Sequence, residues 1–328
     1  MKTFLTRLKK FLWLTGKSFK KIKLPKGKIR RQTLKITITI LALIILIIAV
    51  YAVGIYKLKW SRYGTRTMAK IIPYPAVFVG VHIIPVSEFY EQKAFILHFY
   101  QETGSVAPSE EELDRKIIDQ LVEQKLIDLA LKKERIYISA QDVEDEYKKI
   151  VEQNQGEENV KKMLKDLYKM DVNDFKILMK DKLKAEKFRN EALVSAHVYH
   201  ILIKVPEGTK DNKDFGDKAW EIINQLKAGG NFEELAKKLS QDEASKDKGG
   251  DLGFLQRGSL INGKPMSKEF ENGVFSLEMG KFSAAPVLTE WGFHVFFVSE
   301  KRGKIDKSYA DWLSETKNNT KIIKFLGK

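Results

Sequence analysis

Few side chains in this sequence of 328 residues could perform polar chemistry beyond ordinary surface charges. Cysteine is absent, which excludes thiol nucleophiles, disulfides, cysteine-ligated zinc and a lipidated cysteine anchor. Of the five histidines, His82, His98 and His197 follow no ligand spacing, so the sequence predicts no metal site. His200 and His294 are therefore the candidates for acid-base or hydrogen-bonding chemistry, although a histidine on a strand is more often a satisfied core residue.

The glycine motif GGDLG at residues 249–253 is a second candidate. It could be taken for a phosphate-binding loop, but the Gly-Lys-Ser/Thr of such a loop does not follow it, and no suitable strand precedes it. We therefore expect these glycines to form a turn.

Both histidines belong to a segment with the predicted order β-α-α-β-α-β. Residues 198–205 (VYHILIKV) alternate as a half-buried strand, with His200 on the face opposite Ile201 and Ile203. The remaining elements are, in order, a helix ending at Gly229-Gly230, a helix capped by Asn231, a short strand after GGDLG, a helix over 267–275 and a final strand over 292–298, which carries His294. This order predicts a small mixed sheet covered by helices.

Four ordered stretches resemble the parvulin family of peptidyl-prolyl isomerases: HILIKV, LSQDEASKDKGGDLGFLQRG, FENGVFSLEMGKFSAAPV and EWGFHVFFV. They lie within residues 196–301, about a third of the chain. The resemblance implies an FKBP-like domain that catalyses cis/trans rotation about X-Pro bonds. It also implies the site residues: a polar network of His200, Asp242, Thr289 and His294, and an apolar wall for the proline ring of Leu252, Met266 and Phe270, with Phe275 nearby.

The reaction explains why such a site uses these residue types. Resonance gives the amide C–N bond a rotational barrier of about 18–20 kcal/mol, and uncatalysed X-Pro exchange takes tens of seconds or more. Rotation breaks no bond, so a catalyst has only to favour the twisted amide over both planar states. An apolar clamp on the ring would do this, with Asp242, kept near neutral or hydrogen-bonded to the histidines, tuning the field at the carbonyl. Because rotation moves no proton, the histidines could serve chiefly to fix the sheet and the Asp242 rotamer.

Substrate choice departs from one branch of the family. Phosphate-directed parvulins carry a basic cluster after the first strand, whereas residues 206–215 (PEGTKDNKDF) contain two lysines, three acids and no arginine. We therefore expect no specificity for phosphoproteins. Trp291 stands where relatives hold a smaller or different residue, which leaves the preference for the residue before proline open.

The net charge of +15 is concentrated at the N-terminus. Residues 1–35 hold 13 lysines or arginines and no acid, and taking these from 58 leaves 45 basic residues against 43 acidic ones. A near-neutral body predicts no nucleic-acid partner. Apolar residues also recur at helical spacing in this tail, which fits either an amphipathic helix on an anionic membrane or a disordered tail, with a break at Pro25.

Residues 36–56 (ITITILALIILIIAVYAVGIY) form an uncharged run of 21 residues. A helix of this length spans about 31 Å at ~1.5 Å per residue, which predicts a transmembrane helix. No small-residue cleavage site follows it, so an uncleaved anchor is favoured over a signal peptide. The excess of positive charge before the helix predicts a cytoplasmic N-terminus, with residues 57–328 outside.

Residues 57–195 are mainly helical in pattern. Residues 74–89 predict a short strand, a turn at Gly80 and the start of a helix. Further helices are predicted to begin at Ser109, at Ser139, near Val160 and at Asp171. The order and wording of these segments, especially IIDQLVEQKLIDLALKKERIYISAQDVEDEY, resemble the N-terminal chaperone module of the SurA, PrsA and PpiD foldases.

That second resemblance has a consequence for the C-terminus. It implies that residues 302–328, with a helix around Trp312 and a strand at 321–326, pack back on the helical module, so that the parvulin domain is an insertion. Aromatic residues of the module could bind client chains: Trp60, Phe89, Tyr90, Phe95, Phe99 and Tyr100. The other interpretation is that the module only holds the catalytic domain away from the membrane.

The sequence as a whole predicts an α+β protein with five segments: a basic cytoplasmic tail (1–35), a transmembrane helix (36–56), an all-α chaperone-like module (57–195), the parvulin domain (196–301) and a C-terminal segment (302–328). We expect a cell-membrane-anchored foldase that isomerises X-Pro bonds in unfolded or nascent secreted polypeptides and also acts as a holdase. The expected partners are these proline-containing chains and, for the anchor and tail, membrane lipid; no cofactor is expected. The alternative is a holdase chaperone whose parvulin domain is inactive. The oligomeric state is not assigned.

Overall fold

The computed structural model describes residues 28–58, 60, 63–261 and 263–327. The expected amphipathic tail and the break at Pro25 lie outside these residues and stay predictions. The chain divides into two compact units, Met1–Ile72 and Pro73–Lys328. Helices and small sheets together give the mixed α+β fold expected from the sequence.

The described part of the first unit contains a long apolar helix. Helix α1 (Lys28–Tyr56) includes the stretch Leu34–Tyr56, which is long and apolar enough to cross a membrane. Its large side chains are exposed, Ile38 and Ile45 among them, as in a helix whose surroundings are apolar. A short helix, α2 (Tyr63–Ile71), follows.

The second unit opens with a β-hairpin and a series of helices. Strands β1 (Pro75–Val79) and β2 (His82–Pro85) pair antiparallel on either side of Gly80, as expected. The helices are α3 (Val86–Thr103), α4 (Glu110–Glu134), α5 (Ala140–Gln153), α6 (Glu157–Met163) and α7 (Val172–Lys187). Single π-helical turns, Leu164–Tyr168 and Phe188–Ala192, continue α6 and α7.

Three of these helices begin with a reciprocal capping box. In each, the cap side chain accepts a hydrogen bond from the backbone N–H three residues later, whose own side chain accepts the N–H of the cap. The pairs are Ser109 with Glu112, Ser139 with Asp142, and Asp171 with Asp174. Each box satisfies backbone donors that a helix start leaves free, so these helices begin where the sequence predicts.

The next elements build a second α+β layer around a five-stranded antiparallel sheet. In chain order they are β3 (Ser195–Lys204), α8 (Lys213–Lys227), α9 (Phe232–Leu239), β4 (Asp251–Gln256), β5 (Leu260–Ile261), β6 (Lys264–Pro265), α10 (Lys268–Phe275), β7 (Lys281–Phe282), β8 (Val287–Thr289) and β9 (Gly292–Arg302). The sheet order is β4-β3-β9-β7, and β8 also pairs with β9. The expected β-α-α-β-α-β order is present, with the β5–β6 hairpin and the short strands β7 and β8 added to it.

Each face of this sheet has its own apolar core. Ile201 and Ile203 of β3 pack with residues of α8 and α9 on one face. On the other face, Val198 of β3 and Phe296 of β9 pack with Phe270 of α10. Because side chains alternate along a strand, the second face is also the one that receives the side chain of every second residue from Val198 onward.

The end of the chain returns to the helical module. Helix α11 (Tyr309–Asn319) is followed by β10 (Ile322–Lys324), which pairs antiparallel with β1 to give the sheet order β10-β1-β2. The Trp312 ring lies 4.2 Å from the Phe188 ring, centroid to centroid, and the Tyr309 hydroxyl is hydrogen-bonded to the Glu123 carboxylate of α4. The first and last strands of the second unit are therefore neighbours.

Replacing Trp312 by alanine should reveal how much this closure stabilises the unit. Trp312 is 7% exposed, so its removal leaves a cavity against Phe188, and we expect the free energy of unfolding to fall by about 3 kcal/mol or more. Urea titration of residues 57–328 followed by circular dichroism measures this value. Trp220→Ala is the matched control, because the Trp220 side chain is 42% exposed and its loss should cost less than about 1 kcal/mol. Equal losses in the two variants would contradict the closure.

Candidate active site

The two candidate histidines lie side by side on the central strands of the sheet. Leu202 of β3 is opposite His294 of β9, and His200 is opposite Phe296, so the histidines are diagonal neighbours on one face. Both are buried, at 4% and 1% exposure. Their Nδ1 atoms are 3.2 Å apart, which is hydrogen-bond distance.

Polar groups continue this pair in both directions. Asp242, in the turn after α9, has its Oδ2 atom 2.9 Å from His200 Nε2. On the other side, Thr289 at the end of β8 has its Oγ1 atom 2.8 Å from His294 Nε2. The structure therefore brings Asp242, His200, His294 and Thr289, all four polar residues predicted from the sequence, into one hydrogen-bonded chain.

Ser245 joins the chain and was missed from the sequence. Its Oγ atom lies 2.5 Å from Asp242 Oδ2 and 3.0 Å from His200 Nε2, and the residue is 1% exposed. The available signal was the Asp-x-x-Ser spacing, since serine and aspartate side chains readily bond within one turn. The backbone N–H of Ser245 bonds to the Asp242 carbonyl, which closes that turn.

The electrostatics of the chain fix its protonation. The hydrogen bond from His200 holds the pKa of the Asp242 carboxyl well below its usual range, so Asp242 is ionised rather than near neutral as one sequence-based expectation had it. Burial, and secondarily the neighbouring His200, lower the pKa of His294 to about 3, so this imidazole is uncharged at neutral pH.

With both imidazoles uncharged, an ionised Asp242 determines the direction of every hydrogen bond. The carboxylate can only accept, so His200 donates from Nε2 and accepts at Nδ1. His294 then donates from Nδ1 and accepts at Nε2, where the Thr289 hydroxyl is the donor. Thr289 Oγ1 in turn accepts the backbone N–H of Trp291 at 3.2 Å. Each polar atom of the chain thus has a partner.

The glycine motif positions the strand that faces this network. Gly250 has φ +84°, and a Cβ atom there would stand 2.2 Å from the carbonyl oxygen of His200. The Gly250 carbonyl accepts the His200 N–H at 2.8 Å. Only glycine allows both this backbone conformation and this close approach, so the motif forms the expected turn and brings β4 against β3.

Above the polar chain lies a cavity of about 530 Å³. Its apolar walls come from Leu252, Phe270, Ile261 and Trp291, while His200, His294 and Asp242 contribute polar atoms. The Phe270 ring stands edge-on to the His294 ring at 5.3 Å and to the Trp291 ring at 6.3 Å, centroid to centroid. Lys204 and Glu290, which sequence reasoning did not select, also line the cavity. This arrangement can bind a small apolar ring beside an ionised carboxylate.

Two of the predicted wall residues are placed differently. Met266 and Phe275 are 7% and 4% exposed, belong to the same buried cluster as Phe270, and are not among the residues that line the cavity. Their apolar character is explained by this cluster, in which they support Phe270. Depth below a surface depends on tertiary packing, which residue type alone does not specify.

The lowered pKa of His294 predicts a loss of stability in mild acid. The unfolded chain takes up a proton near pH 6.5 and the folded chain only near pH 3, so the free energy of unfolding falls as the pH falls between these values. The slope contributed is up to about 1.4 kcal/mol per pH unit. For Asp242 the pKa is depressed on folding, so its stabilisation is lost only below about pH 4. Urea unfolding of residues 57–328 between pH 4.5 and 6 should be less steep in pH for His294→Gln, and unchanged for His82→Gln, whose side chain is exposed.

Comparison with known proteins agrees with this geometry. A family model described as the PPIC-type PPIase domain matches residues 178–302, and one described as the SurA-like N-terminal domain matches residues 27–191. The second match alone covers half of the chain.

Similar proteins carry foldase and chaperone names. The "Foldase protein PrsA 2" of Bacillus cereus is 33% identical over 192 residues, 58% of this chain and 62% of that protein. The "Chaperone SurA" of Burkholderia lata is 32% identical over 154 residues, 41% of this chain and 32% of that protein. A crystal structure of the peptidylprolyl isomerase PrsA from Bacillus anthracis is 30% identical, with 62% of this chain and 86% of that chain covered and a TM-score of 0.29.

These curated relatives are longer than the matched region, since the chain spans about a third of the SurA protein and 62% of the PrsA protein. The two family matches nonetheless account for the helical module and for the sheet that carries the histidine pair. The chain belongs to the family in which a SurA-like N-terminal domain is combined with a PPIC-type peptidyl-prolyl isomerase domain.

Proposed function

We propose that this protein catalyses cis/trans isomerisation of X-Pro bonds in other polypeptides. The observation that carries the proposal is the apolar cavity above the chain Asp242–His200–His294–Thr289, in a domain that matches the PPIC-type isomerase family. The cavity offers ring-shaped apolar walls and one fixed negative charge, and the reaction requires no more chemistry than that.

The apolar walls would hold the proline ring. Phe270 is buried beneath the cavity, and Leu252 and Trp291 are half-buried beside it, so a proline ring between them would leave water. Burial of the ring fixes one side of the X-Pro bond while the preceding carbonyl group stays free to swing. Met266 and Phe275 would act indirectly by supporting Phe270.

The carboxylate would act on the carbonyl group. In a planar amide, resonance places negative charge on the carbonyl oxygen, and twisting returns it to nitrogen. A nearby Asp242 carboxylate therefore destabilises the planar states more than the twisted one, which lowers the barrier. His200 and Ser245 hold that carboxylate in place, and His294 with Thr289 fixes the His200 tautomer. In this mechanism the histidines are positioning residues, and no proton is transferred.

An isomerisation assay on proline peptides with the full chain in detergent micelles tests this function. The double variant Phe270→Ala, Asp242→Ala removes both the ring support and the fixed charge, and kcat/KM should fall at least about tenfold, equivalent to ~1.4 kcal/mol of the barrier. Trp220→Ala, on the exposed side of α8, should keep the wild-type value. A double variant as active as the wild type would refute the enzyme assignment and leave the inactive-holdase alternative.

We propose further that residues 36–56 anchor the protein in the cell membrane, with the N-terminus in the cytoplasm and residues 57–328 outside. The support is the length and exposure of α1 and the 13 basic residues that precede its apolar stretch. Unfolded or nascent secreted chains that contain proline would then be the substrates, and lipid would contact the anchor and tail. The match to the SurA-like domain supports holdase activity for the helical module.

Topology can be mapped with reporter fusions. An enzyme active only outside the cytoplasm, fused after Lys328, should be active, and a reporter active only inside should be inactive at that position. The same two reporters fused before Met1 should give the opposite result. A cytoplasmic C-terminus would overturn the proposed localisation without affecting the isomerase assignment.

A further inference from the structure

Two adjoining cavities lie along helix α3, outside the isomerase site. One, of about 260 Å³, is mainly apolar, and the other, of about 360 Å³, is lined largely by charged groups. They share Gln92, Phe95 and Leu178, so they form one continuous depression. We call it the α3 groove; it runs along α3 from Glu88 to Tyr100, with α4 and α7 contributing to its sides.

The apolar end of the α3 groove is an aromatic pocket. Phe99 of α3 stacks on Tyr168, with the ring centroids 5.2 Å apart and the planes 12° from parallel. Both rings are only half-buried, and Ile96 and Tyr100 extend the same surface. A concave apolar surface of this kind gains free energy when an apolar side chain replaces its water.

The opposite end of the α3 groove is acidic. Five carboxylates and two lysines line it, so its formal charge is negative. Lys184 lies 3.3 Å from an oxygen of Asp128 and 3.0 Å from one of Asp181, so it offsets charges of α4 and α7. On the α3 side, Glu88 and Glu91 face the cavity one turn apart. The complementary group for this end is a cation.

Gln92 marks the junction between the two ends. Its Nε2 atom donates to Gln124 at 3.4 Å, while its Oε1 atom is buried and has no hydrogen-bond partner among the described residues. A buried acceptor without a partner is unfavourable, and a backbone N–H of a bound peptide would satisfy it.

The dimensions of the α3 groove fit a short extended peptide. Glu88 and Tyr100 are twelve residues apart on one helix, about 18 Å at ~1.5 Å per residue, which an extended chain covers with roughly five residues. The middles of the two ends are about 10 Å apart along α3, or roughly three residues of extended chain.

We infer that the α3 groove binds extended segments of unfolded chains in which an aromatic or large aliphatic residue stands about three positions from a lysine or arginine. The apolar side chain occupies the aromatic pocket, the cation lies against Glu88 and Glu91, and a peptide N–H donates to Gln92. This inference rests on the proposed holdase function and specifies which client segments that function selects.

Fluorescence anisotropy with the full chain in detergent micelles tests the selection. The probes are three labelled, proline-free peptides that carry phenylalanine and, three positions away, lysine, serine or glutamate, so that the isomerase cavity is not engaged. At low salt the lysine peptide should bind at least about fivefold more tightly than the serine peptide, and the glutamate peptide more weakly than either. Equal affinities for the lysine and serine peptides would overturn the inference.

Charge reversal identifies the residues. Glu88→Lys with Glu91→Lys should invert the order, so that the glutamate peptide binds best, and both side chains are exposed enough for the fold to tolerate the change. Glu111→Lys with Glu152→Lys makes the same change of charge at exposed positions outside the α3 groove and should keep the wild-type order. If this control also inverted the order, the preference would come from net charge and the inference would fail.

The apolar end has a separate variant. Ile96→Ser should weaken binding of all three peptides by a similar factor of about five or more, because every probe carries the phenylalanine. Unchanged affinities in this variant would overturn the assignment of the aromatic pocket.

Suppression of the aggregation of a chemically unfolded protein separates this inference from the holdase proposal. Wild-type protein that suppresses aggregation but does not distinguish the three peptides retains the holdase function and loses the inferred selectivity. Protein that neither suppresses aggregation nor binds the peptides loses both.

Discussion

The pairing of β3 with β9 is the constraint on which the candidate active site depends. Its register places His200 and His294 on one face at the centre of the sheet, where two buried imidazoles can satisfy each other through a single hydrogen bond. A shift of the register by one residue would turn one of them into the opposite core and leave the other without a partner. Buried polar groups are tolerated only when they are satisfied, so the register and the hydrogen-bonded chain support each other.

Beyond that pair, the chain of hydrogen bonds converts buried structure into a fixed electric field. Asp242 is ionised because His200 donates to it, and His200 can donate because His294 occupies its other nitrogen. Thr289 completes the series at the far end, and its own oxygen is held by the Trp291 backbone N–H, beside the side chain that lines the cavity. The polar floor and one apolar wall are thus built from the same short loop.

Much of this arrangement follows from the sequence because it is written in local patterns. The cap residues Ser109, Ser139 and Asp171 predict helix starts from rules that act within one turn, and the glycines of GGDLG predict a turn for the same reason. The four polar site residues were accessible through the resemblance to known parvulins. Ser245 was not selected, since its importance depends on how its turn is packed under His200. Met266 and Phe275 were assigned to the wall although they lie beneath it, because residue type specifies apolar contact but not depth. Strands as short as β7 and β8 have no pattern of their own and exist only through pairing with β9.

The insertion of the isomerase domain into the helical module has a physical consequence for both. The chain enters the domain just after Leu193, which bridges to Ile305, the point at which the chain leaves it, and the Val194 N–H donates to the Ile305 carbonyl at 2.9 Å. Two adjacent, mutually hydrogen-bonded connections restrict rotation much more than one flexible linker would. Arg257 of the isomerase domain adds a bond from its Nε atom to Asp306 at 2.7 Å, on the returning segment. A client segment held by the helical module would therefore meet the proline cavity in a restricted geometry, with an effective concentration set by the fold instead of by diffusion. In such an arrangement modest affinity at each site is sufficient, and release from one site does not require release from the other.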